Sequence, residues 1–324
     1  MFSYSFICLI LLMGQQFDLT PVAFDWPPGC EVVEITSSLD QVRQPAYFFT
    51  SDSDVQQPLI VSLHSWSAGY DQADSLAWKS YEKGFNYIHP HFRGPNDNPM
   101  ACGSVQAIHD MDDAIAFAIE HGNVDTSQIH IIGSSGGGYA TLLSYMKSRY
   151  RARSYSAWVP ISNLVDWYYE SVGRENKYAN DIAQVTNPEG VKEGTFVLNV
   201  SEAKSRSPYY MQTPILEREG SQLSIYAGIH DGYEGSVPIT QSLKFYNKVV
   251  RDFASQEKSA TISIGEMLSL LERRNARYRM VGESNRGDIH FQRSFNDDVF
   301  VYVFEGGHEM LIDRAFADLI KSTR

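Results

Sequence analysis

The chain has 324 residues, of which 43% are hydrophobic, and a formal net charge of −12. That length exceeds the usual domain size, yet α/β folds often reach it as one unit, and the apolar content suffices for a large core. The charge excludes an ordinary nucleic-acid binder, which needs clustered cations, and no apolar run reaches the roughly eighteen residues of a membrane span. An acidic surface also suits a soluble enzyme that meets a neutral substrate.

Residues 1–14 contain an apolar run at positions 6–14. Its length and position predict a signal peptide and a secreted or periplasmic protein, with no further membrane association once it is removed. The mature chain, residues 15–324, is expected to form one domain. Loss of the leader would take Cys8 with it and leave Cys30 and Cys102, which in an exported protein are expected to form a disulfide.

Residues 31–36 and 45–50 carry β-type side chains and read as opening antiparallel strands. From residue 59 the rhythm becomes strand, loop, helix. The run 59–63 is a buried strand, a helix follows at 73–83, and another strand at 85–89. Residues 110–120 place Met111, Ile115, Ala118 and Ile119 on one helical side, and 128–132 is the next strand. This alternation implies βαβ units and a mixed, mostly parallel sheet with helices on both faces. Residues 161–220, rich in Tyr, Asn and Glu, break the rhythm and read as a helical insertion over the active site. A strand at 222–227, helices at 240–254 and 264–274, a strand at 299–304 and a helix at 311–320 complete the pattern.

Gly133-Ser134-Ser135-Gly136-Gly137 fits the G-x-S-x-G nucleophile elbow, because an apolar strand precedes it and a helix-forming run follows. Small neighbours let strand and helix meet closely, which holds the Ser135 hydroxyl open at the carboxyl end of the sheet. The context predicts the α/β-hydrolase fold. A serine needs a base, which in this fold follows the last strand in the order Ser, acid, His. His308, in Gly306-Gly307-His308-Glu309, meets that requirement. The acid should lie after the penultimate strand, where Asp231 and Glu234 both qualify. Asp231 is preferred, and chain order alone does not decide between them. One oxyanion donor is the Gly136 amide. The other belongs to the loop His64-Ser65-Trp66, with Trp66 favoured, Ser65 close behind and His64 bracing the loop.

Gly133 through Ala140, Ser236-Val237-Pro238 with Gln241-Ser242, Gly307-His308-Glu309, and Phe92-Arg93-Gly94 with Asp110 and Asp113 resemble the catalytic domain of the prolyl oligopeptidase family. The resemblance spans roughly residues 59–319 and implies catalytic roles for Ser135 and His308. Within that family the chain looks most like compact secreted carbohydrate esterases of the acetyl xylan esterase type. Two departures weigh against a peptidase. The stretch before residue 59 is too short for the family's β-propeller, and the second oxyanion donor looks like a backbone amide where relatives can use a tyrosine hydroxyl.

Aromatic residues crowd the expected rim, and Trp167, Tyr168 and Tyr233 are the candidates for stacking on a sugar. His89-Pro90-His91 lacks further ligands at metal-site spacing, so no metal or cofactor is expected. Asp110, Asp112 and Asp113 are expected to enrich a helix N-terminus and hold neighbouring loops. Together these features predict a serine esterase that removes small acyl groups, acetyl foremost, from an acylated carbohydrate through a Ser-Asp-His triad. The alternative is a serine peptidase of the prolyl oligopeptidase type acting on short peptides.

Overall fold

The computed structural model describes residues 24–193, 195–254, 258–272 and 285–321. The expected leader and Cys8 lie outside them. In chain order the elements are strands β1 (Glu31–Thr36), β2 (Arg43–Phe49) and β3 (Gln57–Leu63), helix α1 (Ser75–Glu82), β4 (Asn86–Pro90), α2 (Val105–His121), β5 (Val124–Ser134), α3 (Gly136–Lys147) and β6 (Ser154–Trp158). Next come α4 (Leu164–Gly173), α5 (Tyr178–Thr186), the short strands β7 (Val191–Lys192) and β8 (Thr195–Phe196), and α6 (Val200–Ser205). The chain continues with β9 (Gln222–Gly228), α7 (Thr240–Phe253), α8 (Ile264–Leu271), β10 (Ile289–Phe295), β11 (Val299–Phe304) and α9 (Ile312–Lys321).

Nine strands form one sheet in the order β1-β2-β4-β3-β5-β6-β9-β11-β10. From β4 to β11 all neighbours run parallel, while β1, β2 and β10 join antiparallel. The period-two alternation of the strands feeds two cores. In β3, Leu59, Val61 and Leu63 enter one core and Ile60 the other. The first core packs α2, α3 and α7 against the sheet, through residues such as Met111, Leu142 and Val249. The second packs α1 and α9, through Leu76, Ala77, Phe316 and Leu319.

Most expected elements are present, with three differences. Helix α2 begins at Val105, because Ser104 caps it by accepting from the Ala107 amide. Asp110, Asp112 and Asp113 therefore sit inside the helix, not at its N-terminus. There Asp110 pairs with Arg93, Asp112 accepts from Ser148 and the Arg149 amide, and Asp113 accepts from the Ser38 amide. Strand β6 was hidden because its buried Ser154 and Ser156 look like surface residues, while Tyr155 and Ala157 fill the core. The edge strand β10 was also unforeseen.

The expected disulfide is not formed. Cys30 and Cys102 are free, and they belong to the two different cores on opposite faces of the sheet. A bridge requires Cα atoms within about 7 Å, which a sheet between the residues forbids. Burial pushes both thiols up to about 12.

The insertion at 161–220 is mainly helical, with α4, α5 and α6, the hairpin β7–β8, and two 3-10 turns at Pro208–Tyr210 and Leu216–Arg218. Asn163 starts α4 by accepting from the amides of Val165 and Asp166. The chain leaves the carboxyl end of β6 just before α4, which sets the insertion beside the catalytic edge of the sheet.

Candidate active site

Ser135 sits at the turn between β5 and α3 with φ 58° and ψ −116°. A non-glycine residue in that region is strained, and such strain persists where surrounding structure enforces it. The enforcement is visible here. The Ser135 amide donates to the Trp158 carbonyl at 2.9 Å, and its carbonyl accepts from Tyr139 at 2.9 Å. A Cβ at Gly137 would lie 2.0 Å from the Leu63 carbonyl oxygen, so glycine is required for the helix to pack this close to β3.

The acid and base loops leave the sheet side by side. Beyond the paired strands β9 and β11, the Ile229 amide donates to Phe304 and the His230 amide to Gly306. This extension brings His308 Nδ1 to 2.7 Å from Asp231 Oδ2, and His308 Nε2 to 2.8 Å from Ser135 Oγ. The second carboxylate oxygen of Asp231 accepts from the amides of Gly232 and Val237 at 2.8 and 3.0 Å. Asp231 is thus fixed, with its side chain 2% exposed, while the His308 ring is 23% exposed. Of the two candidate acids, Asp231 reaches the histidine. Glu234 lies on the exposed side of the same loop.

The geometry also separates the candidate oxyanion donors. The Ser65 amide already donates to Gln72 Oε1 at 2.8 Å. A Cβ placed on Gly136 would meet the Trp66 amide nitrogen at 2.3 Å, so the amides of Trp66 and Gly136 stand next to each other. Gly136 opens α3, where first-turn N–H groups lack intrahelical acceptors. Below them the His64 ring is fully buried, stacked on Phe92 at 3.9 Å. Its nitrogens face the carbonyls of Ser65 and His91 at 3.0 and 2.8 Å. Burial drives its pKa down to about 3, so it braces the loop as a neutral ring.

Of the three expected sugar-stacking residues, two are used for packing. Trp167 is 1% exposed. Its indole donates to the Ser236 carbonyl at 2.9 Å, and its ring stacks on Tyr178 at 4.8 Å. Tyr168 is partly buried against the core and meets Tyr169 edge-on. Trp167 therefore presents no open ring face, while Tyr168 remains partly exposed. Tyr233, 77% exposed two residues after Asp231, is at the surface. His89 is buried with Nδ1 at 2.8 Å from the Ser62 carbonyl, and among the described residues no cluster of three or more ligating side chains could hold a metal ion.

Three features were not foreseen. Gly235 must lack a side chain, since a Cβ there would lie 2.3 Å from Asp231 Oδ1 and 2.7 Å from His308 Cβ. Asp181 accepts from the Trp66 indole. Glu305 receives both His230 and His290, at 2.6 and 2.5 Å. Burial would raise its pKa, but the bonds from His290 and His230 outweigh that and carry it below the usual value. No local sequence pattern marks such long-range pairs, although Gly235 stood in plain view within the acid loop.

This arrangement can transfer the Ser135 proton to His308, with Asp231 holding the imidazole, while two backbone amides face a developing oxyanion. No curated protein sequence matches the chain. Solved structures share the fold at low identity. A puromycin hydrolase matches with a TM-score of 0.59 and 15% identity, over 94% of this chain and 40% of its own. An acylaminoacyl peptidase from Pyrococcus horikoshii gives 0.54 and 14%, over 90% and 40%. Oligopeptidase B from Leishmania major gives 0.54 and 16%, over 91% and 37%. The chain therefore spans about two-fifths of the length of these structures. The model of the prolyl oligopeptidase family matches residues 75–259, more than half of the chain, and the chain belongs to that family.

Proposed function

We propose that the protein is a serine peptidase that cleaves amide bonds in short peptides through an acyl-enzyme. Ser135 Oγ attacks the scissile carbonyl as His308 Nε2 takes its proton. The amides of Trp66 and Gly136 stabilise the tetrahedral oxyanion, and His308 returns the proton to the leaving amine. Water then repeats the sequence to release the acid. Asp231 holds the imidazole throughout and balances its positive charge.

The match to the prolyl oligopeptidase family at residues 75–259 carries the peptide over the acylated carbohydrate. The burial of Trp167 removes the main support for a sugar platform. The exposed Tyr233 still favours a sugar face, so acetylated carbohydrate is the competing substrate. A panel of acyl-aminoacyl amides, aminoacyl-prolyl amides and acetylated xylo-oligosaccharides tests the proposal. We expect kcat/KM on at least one peptide amide to exceed that on the oligosaccharides by about tenfold or more, about 1.4 kcal/mol in the transition state. The reverse order would replace the peptidase with the esterase. Export is proposed on the apolar run at residues 6–14 alone, and N-terminal sequencing of protein recovered outside the cytoplasm tests it.

A further inference from the structure

The insertion reaches each of the three catalytic segments through polar contacts. Tyr139, on the helix that follows the nucleophile, donates from its hydroxyl to the Arg206 carbonyl at the end of α6, at 2.7 Å. Trp167 on α4 donates from its indole to the Ser236 carbonyl in the acid loop. Trp66, in the oxyanion loop, donates from its indole to Asp181 Oδ2 on α5, at 3.1 Å. The rings of Trp66 and Trp167 also meet edge to face at 4.7 Å, which joins the last two contacts into one unit.

The third contact differs from the others in its chemistry. Asp181 is buried, and its Oδ2 also pairs with Lys177 one turn earlier, at 3.1 Å. A buried carboxylate accepting from an N–H makes a stronger bond than a carbonyl does. The residue it holds carries a candidate oxyanion donor on its own backbone. The Trp66 carbonyl is tied on the other side by the Asn96 amide at 2.8 Å. Trp66 is thus held at its own carbonyl by the loop after β4 and through its ring by the insertion.

We infer that Asp181 is a positioning residue for catalysis: by gripping the Trp66 indole, it fixes the direction of the Trp66 amide toward the oxyanion. Preset donors stabilise a transition state only while their geometry is held, because reorientation during the reaction consumes the gain. The inference rests on Trp66 as an oxyanion donor and is independent of whether the substrate is a peptide or an ester.

The test uses Asp181→Ala, Asp181→Asn, Trp66→Phe and the double variant W66F/D181A, assayed on an aryl acetate with active-site titration. Removing one oxyanion donor outright typically costs about 10²–10³ in kcat; loosening one should cost about tenfold. We expect kcat per titrated site to fall about tenfold in Asp181→Ala and Trp66→Phe, with KM within about twofold and the shape of the pH–rate profile unchanged. The double variant should lose no more than either single one, since both changes remove the same bond. Asp181→Asn, which keeps an acceptor oxygen, should recover most of the rate. Affinity for a trifluoromethyl ketone, whose adduct mimics the tetrahedral oxyanion, should fall in step with kcat/KM. Full kcat per titrated site with only a lowered Tm would overturn the inference by reducing Asp181 to a packing role. A kcat loss without loss of ketone affinity would overturn it by placing the effect outside the oxyanion hole. Neither result would bear on the substrate panel.

Discussion

Two loops leave the carboxyl edge of the same sheet with a histidine close to their start, one after β3 and one after β11. His64 lies sealed beneath the oxyanion loop, between two carbonyl oxygens. A neutral imidazole has one N–H, so it can serve only one of them as donor. His308 has a carboxylate on one side and a hydroxyl on the other. Its N–H meets an acceptor, and its lone pair meets a donor. The partners, and the water that reaches one ring and not the other, make one imidazole a base and the other a wedge.

The largest break in that comparison is Ser135→Ala, which removes the hydroxyl that gives His308 its task. Turnover should fall by on the order of 10⁴ or more while the fold persists. Retained activity after active-site purification would mean that another nucleophile operates. Next is the carboxylate. Asp231→Asn should cost on the order of 10³–10⁴ in kcat, because the imidazole loses the partner that sets its tautomer. Glu234→Gln, on the exposed side of the same loop, should stay within about twofold; a loss as large as that of Asp231→Asn would dissolve the distinction drawn between them.

A smaller effect sharpens the other half. His64 stays neutral in the folded chain down to about 3, yet takes a proton near 6.5 when unfolded. Unfolding therefore consumes protons in that window, and stability falls as pH drops from 6.5 toward 3. Each such histidine contributes a slope of about 1.4 kcal/mol per pH unit there. His130, pushed to about 3 first by burial and then by Arg153, adds a second. Urea unfolding at several pH values should show the acid slope reduced in His64→Gln, with some stability lost at neutral pH. An unchanged slope would mean that His64 is protonated in the folded state. The smallest expected effect is none at all: denatured, unreduced protein should yield Cys102 to an alkylating reagent. A protected Cys102 would restore the disulfide.

The elbow and the base were legible because both depend on local order along the chain: an apolar strand, glycines, a serine, then a histidine after the last strand. The acid was open between Asp231 and Glu234 because the answer depends on how the loop folds back. Gly232, at φ +80°, packs against Pro238, and the bare Cα of Gly235 lets the loop close over the carboxylate. Trp167 was misplaced for a related reason. An aromatic side chain serves a core and a sugar equally well, and the insertion lacks the alternation that tells inside from outside in a strand. The cysteines erred through compartment logic, which says when a bridge is permitted and nothing about which face of a sheet each thiol occupies.

The hydrogen bond from Ser135 to its base joins residues 173 apart, and the acid lies 77 residues before the base. A ribosome adding about 5–20 residues per second delivers the nucleophile on the order of ten seconds or more before the group that activates it. For that interval the nascent chain carries a nucleophile without its base. A copy that stops anywhere short of His308 stays in that condition, however well its earlier strands have paired. Reaction with a serine-directed probe therefore counts only molecules whose synthesis has passed His308.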